Sequence, residues 1–208
     1  MGKKKKKKKV TPFKQKLNKL YRVVEYEITR KGLPDPQIVS LPAKVQQEIE
    51  NVHFMVHENP WKAIRKLKKL IETYPDIPRL YNYLIAAYSV IGKLEKAEAL
   101  VLESYKKHPD YLFAKLNYAE TCMSKGEYEK IPEIFNHKFD LKLLYPERNV
   151  FHISEVVNFA GTIGYYYIKT GNRKVAELYY KILNQLEPES PMTQRLKEGL
   201  ISSESPVD

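Results

Sequence analysis

His53 and His57 stand four residues apart, a spacing that puts two imidazoles on one face of a helix and suits a metal ion when a third ligand stands at a defined distance. No such ligand follows from the pattern, because Glu58 falls on another face, so the pair reads as surface or groove histidines. His108, His137 and His152 are scattered singly. The run Gly161-Thr162-Ile163-Gly164 has the composition of a phosphate-loop fragment, but a phosphate loop follows a strand and no strand is predicted here. Gly164 is explained instead by a close helix crossing. The single cysteine, Cys122, falls at a core position with no basic neighbour to lower its pKa, and reads as a structural thiol. Glu48 and Glu50 read as a solvated face. No nucleophile, base and orienting group assemble from these residues. The sequence therefore reads as a non-enzyme, with no cofactor and no metal.

The remaining residues must act through surfaces, so charge and periodicity decide which surfaces exist. The chain has 208 residues, 43% hydrophobic and 29% charged, with a formal net charge of +11. Residues 1–32 hold thirteen of the 36 basic residues and two of the 25 acidic ones, which leaves 23 of each sign in the rest. The basic character thus belongs to the N-terminus and the body is neutral. The longest predominantly apolar run, Tyr83–Ile91, is far short of the ~18 residues of a membrane span. One cysteine allows no internal disulfide, and no secretory h-region follows the basic N-terminus, so a cytoplasmic location is expected.

Seven successive lysines, Lys3, Lys4, Lys5, Lys6, Lys7, Lys8 and Lys9, make residues 1–10 a low-complexity tail that buries nothing. Over 11–42, Thr11-Pro12 starts a helix whose stripe is Phe13, Leu17, Leu20, Val24 and Ile28, ending near Lys31 at Gly32. A proline-rich linker follows. Beyond it the chain repeats. Pro75 and Pro109, Ala63 and Ala97, and Gly92 and Gly126 are each 34 residues apart. In Pro78–Tyr111 a first helix carries Tyr81, Leu84 and Tyr88, Gly92 breaks the chain, and a second helix carries Ala97, Val101 and Ser104. Ile85 stands where a small residue is usual. Val157–Ser190 shows the same order with Gly164, Tyr167, Gly171, Ala176, Tyr180 and Leu183. The middle unit keeps Tyr118, Ala119, Gly126 and Phe135 but has Ile131 for the small alanine. The unit before Pro78 has Asn59-Pro60 as cap and first turn, then Trp61, Ala63, Leu67 and Leu70, with Glu50 at a core position of its first helix.

This pattern over about residues 44–188 resembles the tetratricopeptide repeat family. The fold implied is all-α: a short α-solenoid of tetratricopeptide-like helix–turn–helix repeats with capping helices. Its units are expected at about 44–77, 78–111, 112–156 and 157–190, inside a domain of 43–202, with a capping helix at 191–202 and a tail at 203–208. Pro109 and Pro188 are two periods plus eleven residues apart. The extra residues lie in 136–154 and include Phe139, Leu141, Leu143, Leu144 and Tyr145. So apolar an insertion is expected to lengthen the second helix of the middle unit and fold back as a packed loop, with Ser154 capping the next helix.

The resemblance also implies a function, a protein–protein interaction module that grips a peptide or partner protein in its concave groove. Positions carried over to the groove are Arg79, Asn82, Ala86 and Ser89 in one unit. In the next they are Phe113, Leu116, Asn117, Glu120 and Ser124, and in the last Asn158, Gly161, Tyr165, Ile168 and Lys169. The family's carboxylate clamp for chaperone tails is not expected, because Asn117 matches it but Phe113, Leu116, Ala86 and Thr162 do not. The alternative reading is a nucleic-acid- or ribosome-associated protein recruited through the lysine tail, which is an anion-binding element whatever its ligand.

Overall fold

The computed structural model describes residues 26–202, of which 71% lie in eleven helices. The lysine tail, the stripe from Phe13 to Val24 and the segment after Ser202 lie outside the described residues. Strand β1 (Glu27–Thr29) comes first, then α1 (Pro36–Val39). Four helical hairpins follow: α2 (Ala43–Glu58) with α3 (Pro60–Thr73), α4 (Pro78–Val90) with α5 (Leu94–Lys107), α6 (Leu112–Ser124) with α7 (Lys130–Ile134), and α9 (Ile153–Lys169) with α10 (Arg173–Leu186). Between α7 and α9 stand α8 (Leu141–Leu144) and β2 (Val150–His152), and α11 (Pro191–Ser202) ends the described chain. The first helices α2, α4, α6, α9 and α11 pack in a file, each on the next. Helices α3, α5 and α10 each pack on their own first helix and on the following one.

The hairpin turns are where the sequence dictates geometry most directly. Gly92, Gly126 and Gly171 sit at φ +68°, +76° and +78°, a left-handed conformation that costs other L residues about 1–2 kcal/mol. Each glycine donates its N–H three residues back, to Ser89, Met123 and Ile168. The residue after each glycine donates five back, to Tyr88, Cys122 and Tyr167. This is one Schellman stop used three times, satisfying carbonyls that a bare helix end leaves unpaired. The starts are equally legible in two places. Asn59 accepts from the N–H of Lys62 ahead of Pro60, and Ser190 accepts from the N–H of Thr193 ahead of Pro191.

Most of the inward residues follow the expected stripes, but Trp61, set in one row with Ala63, Leu67 and Leu70, is exposed because it points away from the core side of α3, and Tyr167 and Tyr180 are half-buried. Tyr81, Leu84, Tyr88, Ala97, Val101 and Ser104 are buried, as are Ala63, Leu67, Leu70, Ala176, Leu183, Leu196 and Leu200. At Gly164 an added Cβ would come within 2.7 Å of Leu196 and 2.9 Å of Tyr179, so the glycine lets α9, α10 and α11 approach closely. In α2 the core register lies one residue away from the expected one: Glu50 is exposed, and Ile49, Val52 and Val56 are buried.

Four expectations are corrected. Ile28, placed in the last turn of an N-terminal helix, lies in β1. This strand pairs in parallel with β2, matching Ile28 to Phe151, although no strand was expected. The insertion does not lengthen the second helix of the middle unit. That helix, α7, has five residues and stops at Asn136 and His137, both in left-handed backbone. The N-cap of α9 is His152, not Ser154. The His152 ring accepts from the Ser154 N–H, and the Glu155 carboxylate accepts from the His152 N–H. The expectation of a packed insertion agrees with the fold: Leu141, Leu144 and Phe151 are buried and only Leu143 among the named apolar residues is exposed.

Residues 26–42 run as a strap along the starts of the first helices. Tyr26 meets Phe151 edge-on at 5.0 Å, Glu27 donates to the Asn149 carbonyl, and Arg30 pairs with Glu187 after α10. Asp35 then pairs with Arg79 at the start of α4, and Ile38 enters the core shared by α2 to α5. The insertion supplies the landing for this strap.

Candidate interaction face

The file of first helices sets a row of polar side chains across four elements. The Asn117 amide on α6 donates to Asn82 on α4 at 2.9 Å. One turn further along α6, Glu120 accepts from the Thr162 hydroxyl on α9 at 3.1 Å and from Arg195 on α11 at 2.7 Å. The Arg195 guanidinium lies 3.6 Å from the centre of the Tyr165 ring, and the Lys169 ammonium 5.2 Å from it. Thr162 is buried, while Asn82, Asn117, Glu120, Tyr165 and Arg195 are part-exposed, so the pairing fixes the positions of these five at the surface without removing them from solvent.

Of the groove positions expected from sequence, Asn82, Asn117, Glu120 and Tyr165 are therefore brought together. Arg79 is separate. It pairs with Asp35 at 3.3 Å, and its charge acts on Tyr83, on whose ring His53 stacks at 4.7 Å. Asn158 turns back to the carbonyl of Ser154, one turn up its own helix. Leu116 is buried in the core and Gly161 is covered by Met192 of α11, so neither presents a surface. Sequence reasoning missed Arg195, and it named Thr162 only as a departure from the carboxylate clamp. Arg195 sits beside the apolar stripe of α11, and its partner is 75 residues away, so no local pattern announces it.

Electrostatics at the other singled-out residues follows from burial. Burial pushes the Cys122 thiol up. Lys130 is a basic neighbour after all, but its downward pull is the smaller effect. His53 is held below the ordinary imidazole value by burial, and then by the Arg79 and His57 charges. Tyr26, under Phe151, is pushed up to about 12 by burial and by Asp140. Among the described residues no group of three or more His, Cys, Asp or Glu gathers as a metal site, and no helix is long and apolar enough to cross a membrane. No protein-family model matches the chain, and no curated protein matches it.

Proposed function

We propose that the chain is a tetratricopeptide-type adaptor or scaffold, chaperone-like in the way it holds a partner, and not an enzyme. It takes a peptide or protein along the face of α4, α6, α9 and α11. The observation that supports this most is the row Asn82–Asn117 and Thr162–Glu120–Arg195 beside Tyr165. It combines fixed donors and acceptors with an aromatic anchor over four helices that pack in a file. Preset side chains lose little further freedom on binding, and a part-exposed tyrosine under an arginine is the kind of residue that dominates interface energies. The single cysteine suits a reducing cytosol.

The test compares proteins captured by three full-length baits: the native chain, Asn117→Ala with Tyr165→Ala, and a chain with Lys3–Lys9 replaced by serine. A partner of the proposed kind is lost with the double alanine variant and kept with the serine chain. When purified, it should bind with little salt dependence. The reverse pattern would make the lysine tail the recruiting element and sink the adaptor reading.

A further inference from the structure

The neutral body hides one strongly charged element. Helix α3 carries Lys62, Arg65, Lys66, Lys68 and Lys69 in eight residues, with Glu72 as its one acid. At 100° per residue these cations share an arc of roughly 160° with Trp61, and Ala63, Ile64, Leu67 and Leu70 fill the opposite side. The structure obeys that division. The four apolar residues are buried, while Lys62, Arg65, Lys68, Lys69 and Trp61 are exposed, Trp61 to 58%. Lys66 pairs with Glu48 at 3.3 Å. Phe54, 62% exposed, stands on the same hairpin beside His53, with ring centres 5.5 Å apart.

The geometry points to this outer face of α3 as a docking surface for single-stranded nucleic acid, with the cations on phosphates and Trp61 stacking on a base. The inference is independent of the interaction face, which uses other helices. Charge complementarity sets the sign of the ligand. The aromatic set among the cations selects a polyanion that also carries π-faces, because sequence-tolerant binding of single strands combines a basic track with aromatic platforms. An anionic bilayer fits less well. A helix lying in a membrane surface buries its apolar face in lipid, and the apolar face of α3 is already spent on the core. An acidic peptide would satisfy the cations but gives Trp61 no base to stack on.

Trp61 is the chain's single tryptophan, so its fluorescence reports this site alone. The experiment titrates the full chain, with Lys3–Lys9 replaced by serine to silence the tail, against a short oligouridylate, polyglutamate and phosphatidylserine vesicles. Oligouridylate should quench Trp61 saturably. Three to four phosphate contacts on a single strand would weaken binding about 20- to 50-fold between about 50 and 200 mM salt. Combining Lys62→Gln, Arg65→Gln and Lys69→Gln should cost about tenfold or more in affinity with the circular dichroism spectrum unchanged. Lys96→Gln with Lys106→Gln on α5 should cost nothing. The proposal is overturned if oligouridylate leaves Trp61 unquenched, if polyglutamate or vesicles bind as well, or if the α5 changes cost as much as those on α3.

Discussion

Hairpins α4–α5 and α6–α7 leave their first helices through the same glycine stop and then diverge. After Gly92 the chain makes fourteen residues of helix, and after Gly126 it makes five. Ala97 leaves room at one crossing, whereas Ile131, one period later, is itself fully buried. Pro132 follows, and the chain leaves the helix at Asn136 and His137. Lys115 reaches in from α6 to donate to the Ile134 carbonyl at 3.0 Å, which satisfies an end that a longer helix would have paired internally. The volume that the missing turns would fill goes to Leu141, Leu144 and Phe151. The lesson is that a helical hairpin can lose most of one helix if an intervening segment brings apolar volume in its place. The insertion adds something a helix could not, an exposed strand edge for the N-terminal strap.

The largest effect is expected where that replacement is centred. Phe151 has no exposed surface, meets Tyr26 edge-on, and lies 4.3 Å under the Arg148 guanidinium, whose other face of bonds is the pair to Glu155. Phe151→Ala should lower unfolding stability by about 3–5 kcal/mol in urea denaturation. A loss under about 1 kcal/mol, the size of an ordinary substitution, would mean that the insertion decorates the helical body and does not replace part of it.

A smaller effect tests the shared turn. Gly92→Ala and Gly126→Ala force the same left-handed backbone on alanine, with open space at both Cβ positions. Each should cost about 1–2 kcal/mol, and the two should agree. A clearly larger loss at Gly126 would show that the short hairpin depends on its turn for more than a helix stop.

What the sequence made legible was local or periodic. The 34-residue spacing located the turns, Asn59-Pro60 and Ser190-Pro191 located two helix starts, and the apolar content of 136–154 required packing. What it hid was long-range. The β1–β2 pairing joins residues 123 positions apart through three residues each, too short for an alternating pattern to register. The end of the short α7 is met by a lysine from another helix, and Ile28 fits a helical stripe as well as it fits a strand. The candidate face divides in the same way. Family positions supplied Asn82, Asn117, Glu120 and Tyr165. Arg195 had to be seen in place, because an arginine flanking an apolar stripe has many possible partners. Leu116 shows the opposite error: a position assigned to the groove belongs to the core cluster that also holds Leu141, Leu144 and Phe151.

The smallest expected effect concerns pH and separates the hairpins again, because one contributor ends α5 and the other lies on α2. His108 caps the C-terminal end of that helix, its ring edge-on to Tyr81 at 5.1 Å and its Nε2 buried without a hydrogen-bond partner. Burial lowers its pKa, the Lys107 charge lowers it further, and Asp76 with the Pro75 carbonyl opposes both. His53 is shifted in the same direction. The folded state therefore binds fewer protons than the unfolded chain just below the ordinary imidazole value of about 6.5. Stability must fall as pH drops through that value, and level off once the folded-state imidazoles are charged too. The urea midpoint should accordingly be lower at about pH 5.5 than at about pH 7.5, on either side of the imidazole value. Exchanging His108 for glutamine, which does not titrate, should remove part of the difference, and adding His53→Gln should remove more. If the doubly substituted chain keeps the whole pH dependence, protonation at these two rings is not what weakens the fold in acid, and the burial of Nε2 beside Tyr81 has no energetic consequence in this range.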